Sequence, residues 1–327
     1  MRFIIYGAGA IGGTIGGRLH QAGHDVVLIC RGAHLDAIRT GGLLLQAPEG
    51  DVRLPIPAVG HPGEIAWQPG DVAVLTMKTQ DTEGALRDLE AAAGVSVPVV
   101  CAQNGVENER MAARRFEHVY AMLVALPATH LVPGEVIASG APLSGCLHAG
   151  EYPSGVDGTI TAVCAALAQS HFHCEPSADA LALKYRKLTL NLGNGLEVIT
   201  GQRSWGAGGA VGEFAARLRA EAEACYTAAG IVAVSPEEYQ ERVSRHYRAT
   251  PVAGQERGGS STLQSLLRGH STIEVDYLNG EIELLGKLHG VATPCNTAVR
   301  RVATSIAARG LRPGSMTLED LAALAEG

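Results

Sequence analysis

The sequence lacks several patterns that would assign a function directly. Its seven cysteines form no Cys-x-x-Cys pair, so their spacing indicates neither a disulfide framework nor a zinc ribbon. It has no dense lysine and arginine run, and its net charge is −7 at pH 7, which argues against a general nucleic-acid or membrane-surface binder. The nucleophile motif Gly-x-Ser-x-Gly is absent too, so no serine hydrolase is indicated. We therefore expect a small-molecule partner, and neither nucleic acid nor membrane.

Long apolar runs are missing as well. The most apolar later stretch, 119–128, contains Pro127 and is much shorter than the ~20 residues that span a bilayer. The apolar start ends at once in Gly7, without the pattern of a signal peptide. We expect a cytoplasmic protein whose 327 residues form two domains. The sequence does not determine the oligomeric state, and a homodimer is compatible with it.

The first half alternates short apolar runs with helical patterns. Val-, Ile- and Leu-rich runs are expected in a parallel sheet that is covered on both faces, and they occupy 2–6, 26–30, 72–77, 98–101 and 119–126. Segments 11–21 and 33–40 between them fit crossover helices. The pattern predicts a doubly wound α/β Rossmann domain over 1–176, with an antiparallel extension or closing loops at 131–148.

After Pro176 the spacing of apolar residues becomes helical. The predicted helices are at about 178–200, 212–229, 236–247, 273–289 and 296–309. Few strand candidates accompany them. The sequence therefore predicts an all-α C-terminal domain over 177–327.

The strongest motif is a Gly-x-Gly-x-x-Gly sequence that directly follows a strand and opens a helix. Its glycines allow a tight turn, close backbone approach to a pyrophosphate and tight helix–strand packing, and the helix N-terminus offers N–H donors to the anion. This context favours dinucleotide binding over an ordinary glycine-rich turn. The predicted cofactor-binding residues here are Gly7, Ala8, Gly9, Ala10, Ile11 and Gly12.

The end of the second strand bears on which cofactor binds. NAD sites usually place an acidic residue there for the ribose 2′-hydroxyl, whereas this strand is followed by Arg31. An arginine can pair with a 2′-phosphate, which favours NADP(H). Polar residues also follow two further strands, at Lys78 and at Asn104, where ligands of open α/β sheets bind. An exposed lysine and an Asn-Gly turn are the alternatives.

A metal site is not predicted. His171 and His173, followed by Cys174, could place two imidazoles on one face of a strand. No third ligand is evident nearby in the sequence, and histidine pairs are commonly structural.

Several segments in the same order resemble the ketopantoate reductase family. Besides the glycine motif, Lys78 and Gln103–Glu107, they are Arg31-Gly32-Ala33-His34, Arg186-Lys187-Leu188-Thr189-Leu190-Asn191, Ser260-Ser261-Thr262-Leu263-Gln264 and Ile273–Gly280. The resemblance implies a Rossmann domain and a helical domain, with NADPH and a 2-oxo acid meeting in the cleft between them. It further implies reduction of 2-dehydropantoate to pantoate, on the route to pantothenate and coenzyme A.

The resemblance also implies roles for single residues. Lys187 would be the general acid that protonates the ketone oxygen, and Glu274 would help to bind or orient the substrate. Arg31 and Lys78 would bind the cofactor, and Asn104 would lie near its nicotinamide. Substrate contacts would come from Asn104, Asn191 and Ser261. Helical spacing adds Asn194 to the face of Lys187 and Asn191.

Departures from the family pattern concern the substrate. The family usually has a second asparagine eight residues after the lysine, where this chain has Gly195. An acidic residue of the serine segment is replaced by Ser265, and the spacing from Ser261 to Glu274 is one residue longer. These departures keep open the reduction of a different 2-oxo or 3-oxo acid. A non-catalytic NADP(H)-binding sensor is a separate alternative from a different functional class.

Overall fold

A computed structural model describes residues 1–204, 206–252, 258–269 and 271–326. The backbone forms two compact units. The first contains Met1–Asn104, Asn108–Leu183 and the described part of 235–257; the second contains Gly105–Glu107, Lys184–Val234 and the described part of 258–327. The domain boundary at 176 stays a prediction, and the packing differs from it by returning a segment that begins at Ser235 to the first unit.

The first unit is built on a seven-stranded sheet of order β13-β8-β7-β6-β1-β2-β5. The pairs within it are parallel except for β13 against β8. Its strands are β1 Arg2–Tyr6, β2 Asp25–Ile29, β5 Ala58–Val59, β6 Asp71–Leu75, β7 Val99–Cys101, β8 Val119–Met122 and β13 Ala149–Glu151. This order is that of a Rossmann sheet, whose topological switch point lies between β1 and β6. The predicted doubly wound domain is confirmed.

Alternate side chains of each strand enter cores on opposite faces of this sheet. Phe3 and Ile5 join one core with Leu19, whereas Ile4 and Tyr6 join the other. Burial on both faces explains why the strands are continuously apolar. The helices of this unit are α1 Ala10–Gln21, α2 Gly32–Gly41, α3 Thr79–Ala93, α4 Glu107–Ala113, of which Glu107 belongs to the second unit, and α5 Gly158–Ala168.

Smaller sheets complete the first unit, and they correct the prediction for 131–148. That stretch does not extend the main sheet, whose antiparallel edge is β13. It contributes instead to a sheet of order β4-β3-β10-β9 and to two-stranded pairs β11-β15 and β12-β14. The strands are β3 Leu43–Gln46, β4 Val52–Leu54, β9 Ala128–Thr129, β10 Glu135–Ala138, β11 Gly140–Pro142, β12 Gly145–Cys146, β14 Phe172–His173 and β15 Tyr247–Ala249.

The segment that returns to the first unit contains α9, which ends at Arg242 rather than continuing to 247. A 3₁₀ turn at Ser244–His246 and strand β15 follow. The Arg242 guanidinium donates to Asp179 at 2.7 Å and holds the pKa of that carboxyl at about 2. This ion pair attaches α9 to the chain just before α6.

The second unit is helical, as predicted. Its helices are α6 Ala180–Asn191, which begins in the first unit, α7 Gly193–Thr200, α8 Gly209–Ala229, α10 Ser261–Leu267, α11 Val275–His289, α12 Pro294–Ala308 and α13 Leu318–Glu326. Within the described residues, no helix combines the length and apolar character that spanning a membrane requires.

Candidate functional site

The three motif glycines each meet a different constraint. Gly7 has φ +104°, and a Cβ there would lie 2.7 Å from the Met77 backbone nitrogen. A Cβ at Gly12 would lie 2.3 Å from Thr76 Oγ1, whereas one at Gly9 would have no neighbour within 4 Å. The loop thus provides a tight turn, an open approach at its middle glycine and close packing of α1 on the sheet, as a dinucleotide loop requires.

This difference between the glycines makes a direct prediction. Gly12→Ala is expected to lower the free energy of unfolding by about 1–3 kcal/mol, because its methyl group would overlap Thr76 and the Gly7 carbonyl. Gly9→Ala should leave thermal unfolding nearly unchanged and weaken cofactor binding, because its methyl group would occupy the open approach. Denaturant unfolding and cofactor titration of both variants check this. Equal loss of stability in the two would contradict the assignment.

The N-terminus of α1 suits an anion. Gly9 precedes the helix in an extended conformation, and the first turn contains no acidic residue. The first N–H groups of a helix have no intrahelical acceptor, and the helix dipole adds positive potential there. The loop and helix start therefore fit the pyrophosphate of a nicotinamide dinucleotide.

Arg31 lies two residues beyond the end of β2 and precedes α2, and it is exposed. It lies near the Tyr6 hydroxyl at the end of β1, as does Asp88. Burial and then Asp88 raise the pKa of Tyr6, while Arg31 opposes them. Asp88 also faces His61, with 3.5 Å between Nε2 and Oδ2. The carboxyl edge of β1 and β2 therefore carries charges of both signs.

Asn104 and Lys78 follow neighbouring strands of the same sheet. Lys78 is half-buried in extended backbone just before α3. Asn104 accepts a hydrogen bond at its backbone carbonyl from Asn108 Nδ2, at 3.1 Å. A buried network continues from there: Thr82 Oγ1 donates to Asn108 Oδ1 at 2.8 Å and accepts from Gln103 Nε2 at 2.8 Å.

This network was not predicted from the sequence. Thr82 on α3 and Asn108 on α4 are fully buried, whereas polar side chains on helices are mostly exposed to solvent. The only available signal was the Gln103-Asn104 pair at a strand end. The network fixes the backbone that carries the Asn104 side chain.

Lys187 and Asn191 lie one helical turn apart on α6, both half-buried. The predicted helix over 178–200 is divided, because α6 ends at Asn191 and α7 begins at Gly193, while Leu192 between them keeps helical backbone angles of φ −59° and ψ −29°. The placement of Asn194 on the face of Lys187 stays a prediction. At the break, Asn279 Nδ2 donates to the Leu192 carbonyl at 3.1 Å. A Cβ at Gly193 would lie 2.0 Å from Ser204 Oγ. Other parts of the chain thus approach the backbone closely at Leu192 and at Gly193, where α6 gives way to α7.

Gly195 replaces the second asparagine of the family for a visible packing reason. A Cβ at this position would lie 2.6 Å from Val299 Cγ1 and 3.1 Å from Val275 Cγ2. Helix α7 therefore lies too close to α11 and α12 for a side chain here. Position 195 therefore carries no amide, and the amide that α7 does carry is Asn194, one residue earlier.

Glu274 and Ser261 each lie at the start of a helix. Glu274 is 4% exposed and immediately precedes α11, rather than lying within its first turn. Ser260 caps α10, accepting from Leu263 N at 3.3 Å, and Ser261 is the first helical residue. Ser265, which replaces the family's acidic residue, donates to the Ser261 carbonyl at 3.0 Å.

A buried glutamate that the sequence analysis missed supports this serine segment. Glu197 on α7 is 5% exposed, and its Oε2 accepts from Ser260 N at 2.9 Å. The contact joins residues 63 positions apart, so no local pattern could reveal it. Glu197 therefore fixes the backbone on which Ser261 is presented.

Histidine side chains meet in the first unit, in a different combination from His171 with His173. His173 lies near His148 and Cys146, whereas the Cys174 thiol donates to the Leu147 carbonyl. His148 donates from Nε2 to the Arg242 carbonyl at 2.9 Å and accepts at Nδ1 from Glu175 N at 3.2 Å. A metal ion here would have to displace one of these bonds.

Comparisons with known proteins agree with this architecture. The model of the family described as ketopantoate reductase PanE/ApbA matches residues 3–153, and that of its C-terminal domain matches 179–307. The 2-dehydropantoate 2-reductase of Archaeoglobus fulgidus is 27% identical over 96% of this chain and 98% of that enzyme. The 2-dehydropantoate 2-reductase of Caulobacter vibrioides is 26% identical over 90% of this chain and 95% of that enzyme.

Two solved structures share the whole fold. A PanE/ApbA family ketopantoate reductase from Ralstonia eutropha has a TM-score of 0.80 and 28% identity, over 95% of this chain and 99% of that one. D-Mandelate dehydrogenase, solved with NADH and anilino(oxo)acetate, has a TM-score of 0.80 and 25% identity over the same shares. Both domain models match in order and together cover most of the sequence. The chain therefore belongs to the ketopantoate reductase family, whose members are nicotinamide-dependent oxidoreductases acting on a keto/hydroxyl pair.

Proposed function

We propose that this protein reduces 2-dehydropantoate to pantoate with NADPH, a step of pantothenate and coenzyme A biosynthesis. The observation that carries the proposal is the nearly full-length similarity to a 2-dehydropantoate 2-reductase. The resemblance of the segments around Lys187 and Glu274 to the family's motifs supports it. Arg31, placed after β2 where a carboxylate would repel a 2′-phosphate, supports NADPH over NADH.

In this mechanism, bound NADPH supplies the hydride that reduces the ketone carbon. Lys187 holds the proton at Nζ and donates it to the ketone oxygen, so that no free alkoxide develops. Asn191, one turn along α6, presents an amide that can hydrogen-bond the substrate, and Ser261 presents a hydroxyl to its carboxylate. Glu274 orients the substrate from the start of α11.

Residues of the first unit hold the cofactor. The N–H groups at the start of α1, with residues 7–12, bind the pyrophosphate. Arg31 pairs with the 2′-phosphate, and Lys78 contributes a second positive charge at the carboxyl edge of the sheet. Asn104 lies at the nicotinamide end, on backbone that Asn108 fixes.

A second candidate function is reduction of another 2-oxo or 3-oxo acid. The packing of Gly195 against Val299 favours it, because position 195 cannot offer the amide that the family usually has there, and Asn194 one residue earlier is the amide left to contact the substrate. D-Mandelate dehydrogenase supports it further, as a neighbour of the same fold named for a different hydroxy acid. A cofactor-binding sensor without turnover is the third candidate, although it would have no use for a proton donor at Lys187.

A steady-state assay that follows NADPH absorbance separates these candidates. We expect the highest kcat/KM with NADPH and 2-dehydropantoate, against a panel of branched and aromatic 2-oxo acids, 3-oxo acids and NADH. A higher value with another oxo acid would favour the second candidate. Cofactor binding without turnover on any oxo acid would favour the sensor.

A further inference from the structure

The His34 ring is held between two backbone segments that are distant in sequence. It is 9% exposed, with Nε2 2.7 Å from the Ala8 carbonyl and Nδ1 2.9 Å from the Gly134 nitrogen. A carbonyl can only accept a hydrogen bond and a backbone N–H can only donate one. The two partners therefore specify the neutral tautomer, with its proton on Nε2.

The surroundings of His34 favour this neutral form. Burial, and then the neighbouring His130 ring with its centroid 4.2 Å away, lower the pKa of His34. Protonation would place a second N–H on Nδ1, facing the N–H of Gly134. The ring is thus a fixed link near neutral pH rather than a proton donor.

On one side, this link fixes the middle of the glycine-rich loop. The Ala8 carbonyl belongs to the same planar peptide as the Gly9 N–H, which donates to the Gly7 carbonyl at 2.7 Å, so the imidazole bond helps to hold the direction of both groups. The Ala8 N–H donates to the Ile29 carbonyl at 3.1 Å, so Ala8 is held at both its N–H and its carbonyl. This peptide leads directly into the N-terminus of α1, beside the open approach at Gly9.

On the other side, the link reaches the turn before β10. Gly134 has φ +81°, and its carbonyl accepts from Leu44 N at 2.8 Å, at the start of β3. Val136 of β10 packs on α1, where a Cβ at Gly13 would lie 2.6 Å from its Cγ1. The small sheet and the start of α1 are therefore joined through the imidazole as well as through packing.

We propose that His34 is a positioning residue that holds the glycine-rich loop in its cofactor-binding conformation, and so sets the affinity for the dinucleotide without taking part in proton transfer. The proposal rests on the cofactor binding that belongs to the proposed function. It predicts that replacing His34 weakens cofactor binding, because the ring hydrogen-bonds the Ala8 carbonyl and the Gly134 N–H.

Two amide variants separate the bonds of the ring. His34→Gln can place its amide nitrogen near the position of Nε2 and keep the bond to Ala8, whereas His34→Asn can keep only the bond at the Nδ1 position. We expect His34→Asn to weaken NADPH binding by about 5- to 10-fold, the size of one lost hydrogen bond, with kcat at saturating cofactor within about 2-fold. His34→Gln should recover most of the affinity.

The matched control is His130→Gln. His130 is the adjacent ring, but its Nδ1 hydrogen-bonds the Glu135 carbonyl at 2.9 Å, so NADPH affinity should stay near that of the unaltered protein. Fluorescence titration with NADPH gives the dissociation constants, and circular dichroism verifies folding of each variant.

Three results would overturn the proposal. His34→Asn could bind NADPH as tightly as the unaltered protein, or both His34 variants could lose affinity and thermal stability equally, which would indicate packing alone. Failure of the unaltered protein to bind NADPH or NADH would remove both this proposal and the proposed function. Binding restored by His34→Gln, without turnover on any oxo acid, would support the positioning role and contradict the proposed function alone.

Discussion

Replacing Lys187 with alanine is expected to lower kcat by roughly 100-fold or more, the contribution of a general acid. Without the ammonium group, the ketone oxygen must take its proton from water as the hydride arrives. The dissociation constant for NADPH should change little, because the proposed cofactor contacts come from residues of the first unit. Single-turnover kinetics together with NADPH titration measure the two effects separately.

Lys287→Ala is the matched control for this experiment. Lys287 is a largely exposed lysine on α11, paired with Glu283 at 2.7 Å, and it has no proposed role in the reaction. Its removal should leave kcat within about 2-fold of the original value, because its side chain is largely exposed and the buried Glu283 keeps a second partner in Arg300. If Lys187→Ala kept its kcat, Lys187 would have no part in proton transfer.

Replacing Arg31 with aspartate should change which cofactor the protein prefers. We expect NADPH binding to weaken by about 10- to 100-fold, the size of a lost charge-assisted hydrogen bond, while NADH binding stays within about 3-fold. The new carboxylate would repel the 2′-phosphate but could accept from a ribose 2′-hydroxyl. Parallel titrations with the two cofactors measure the preference.

Arg39→Asp makes the same charge change on α2, the helix that Arg31 precedes. Arg39 is exposed and its charge is already paired with Glu64 at 3.0 Å, so this variant should affect the two cofactors alike. Equal weakening of NADPH and NADH by Arg31→Asp would remove the argument for a 2′-phosphate contact. The experiment matters because a structural neighbour was solved with NADH.

Features set by neighbouring residues could be predicted from the sequence. The strand β1, the glycine-rich turn and α1 follow one another within 21 residues, and each has a local signature in apolar runs, glycine spacing or helical period. The positions of Arg31, Lys78 and Asn104 after their strands followed in the same way. Lys187 and Asn191 share a helix face for the same reason, because their spacing alone determines it.

Features that depend on contacts between residues far apart in sequence could not be predicted. The break at Leu192, which separates Asn194 from α6, involves Asn279, 87 residues away. Glu197 holds the serine segment across 63 residues, and His34 reaches Gly134 across 100. The helical spacing of apolar residues continues through the break at Leu192. This spacing reports which side chains are apolar, and it carries no information on contacts with distant segments.

The sequence by itself determined the doubly wound sheet, the helical second half and the dinucleotide loop, because these depend on local conformational preference and on which faces are apolar. Only the tertiary structure decided that 235–252 returns to the first unit, that α6 and α7 are separate, and that position 195 has no room for a side chain. Each of these depends on close approach between distant segments, where a gap of a few tenths of an ångström decides whether a side chain fits.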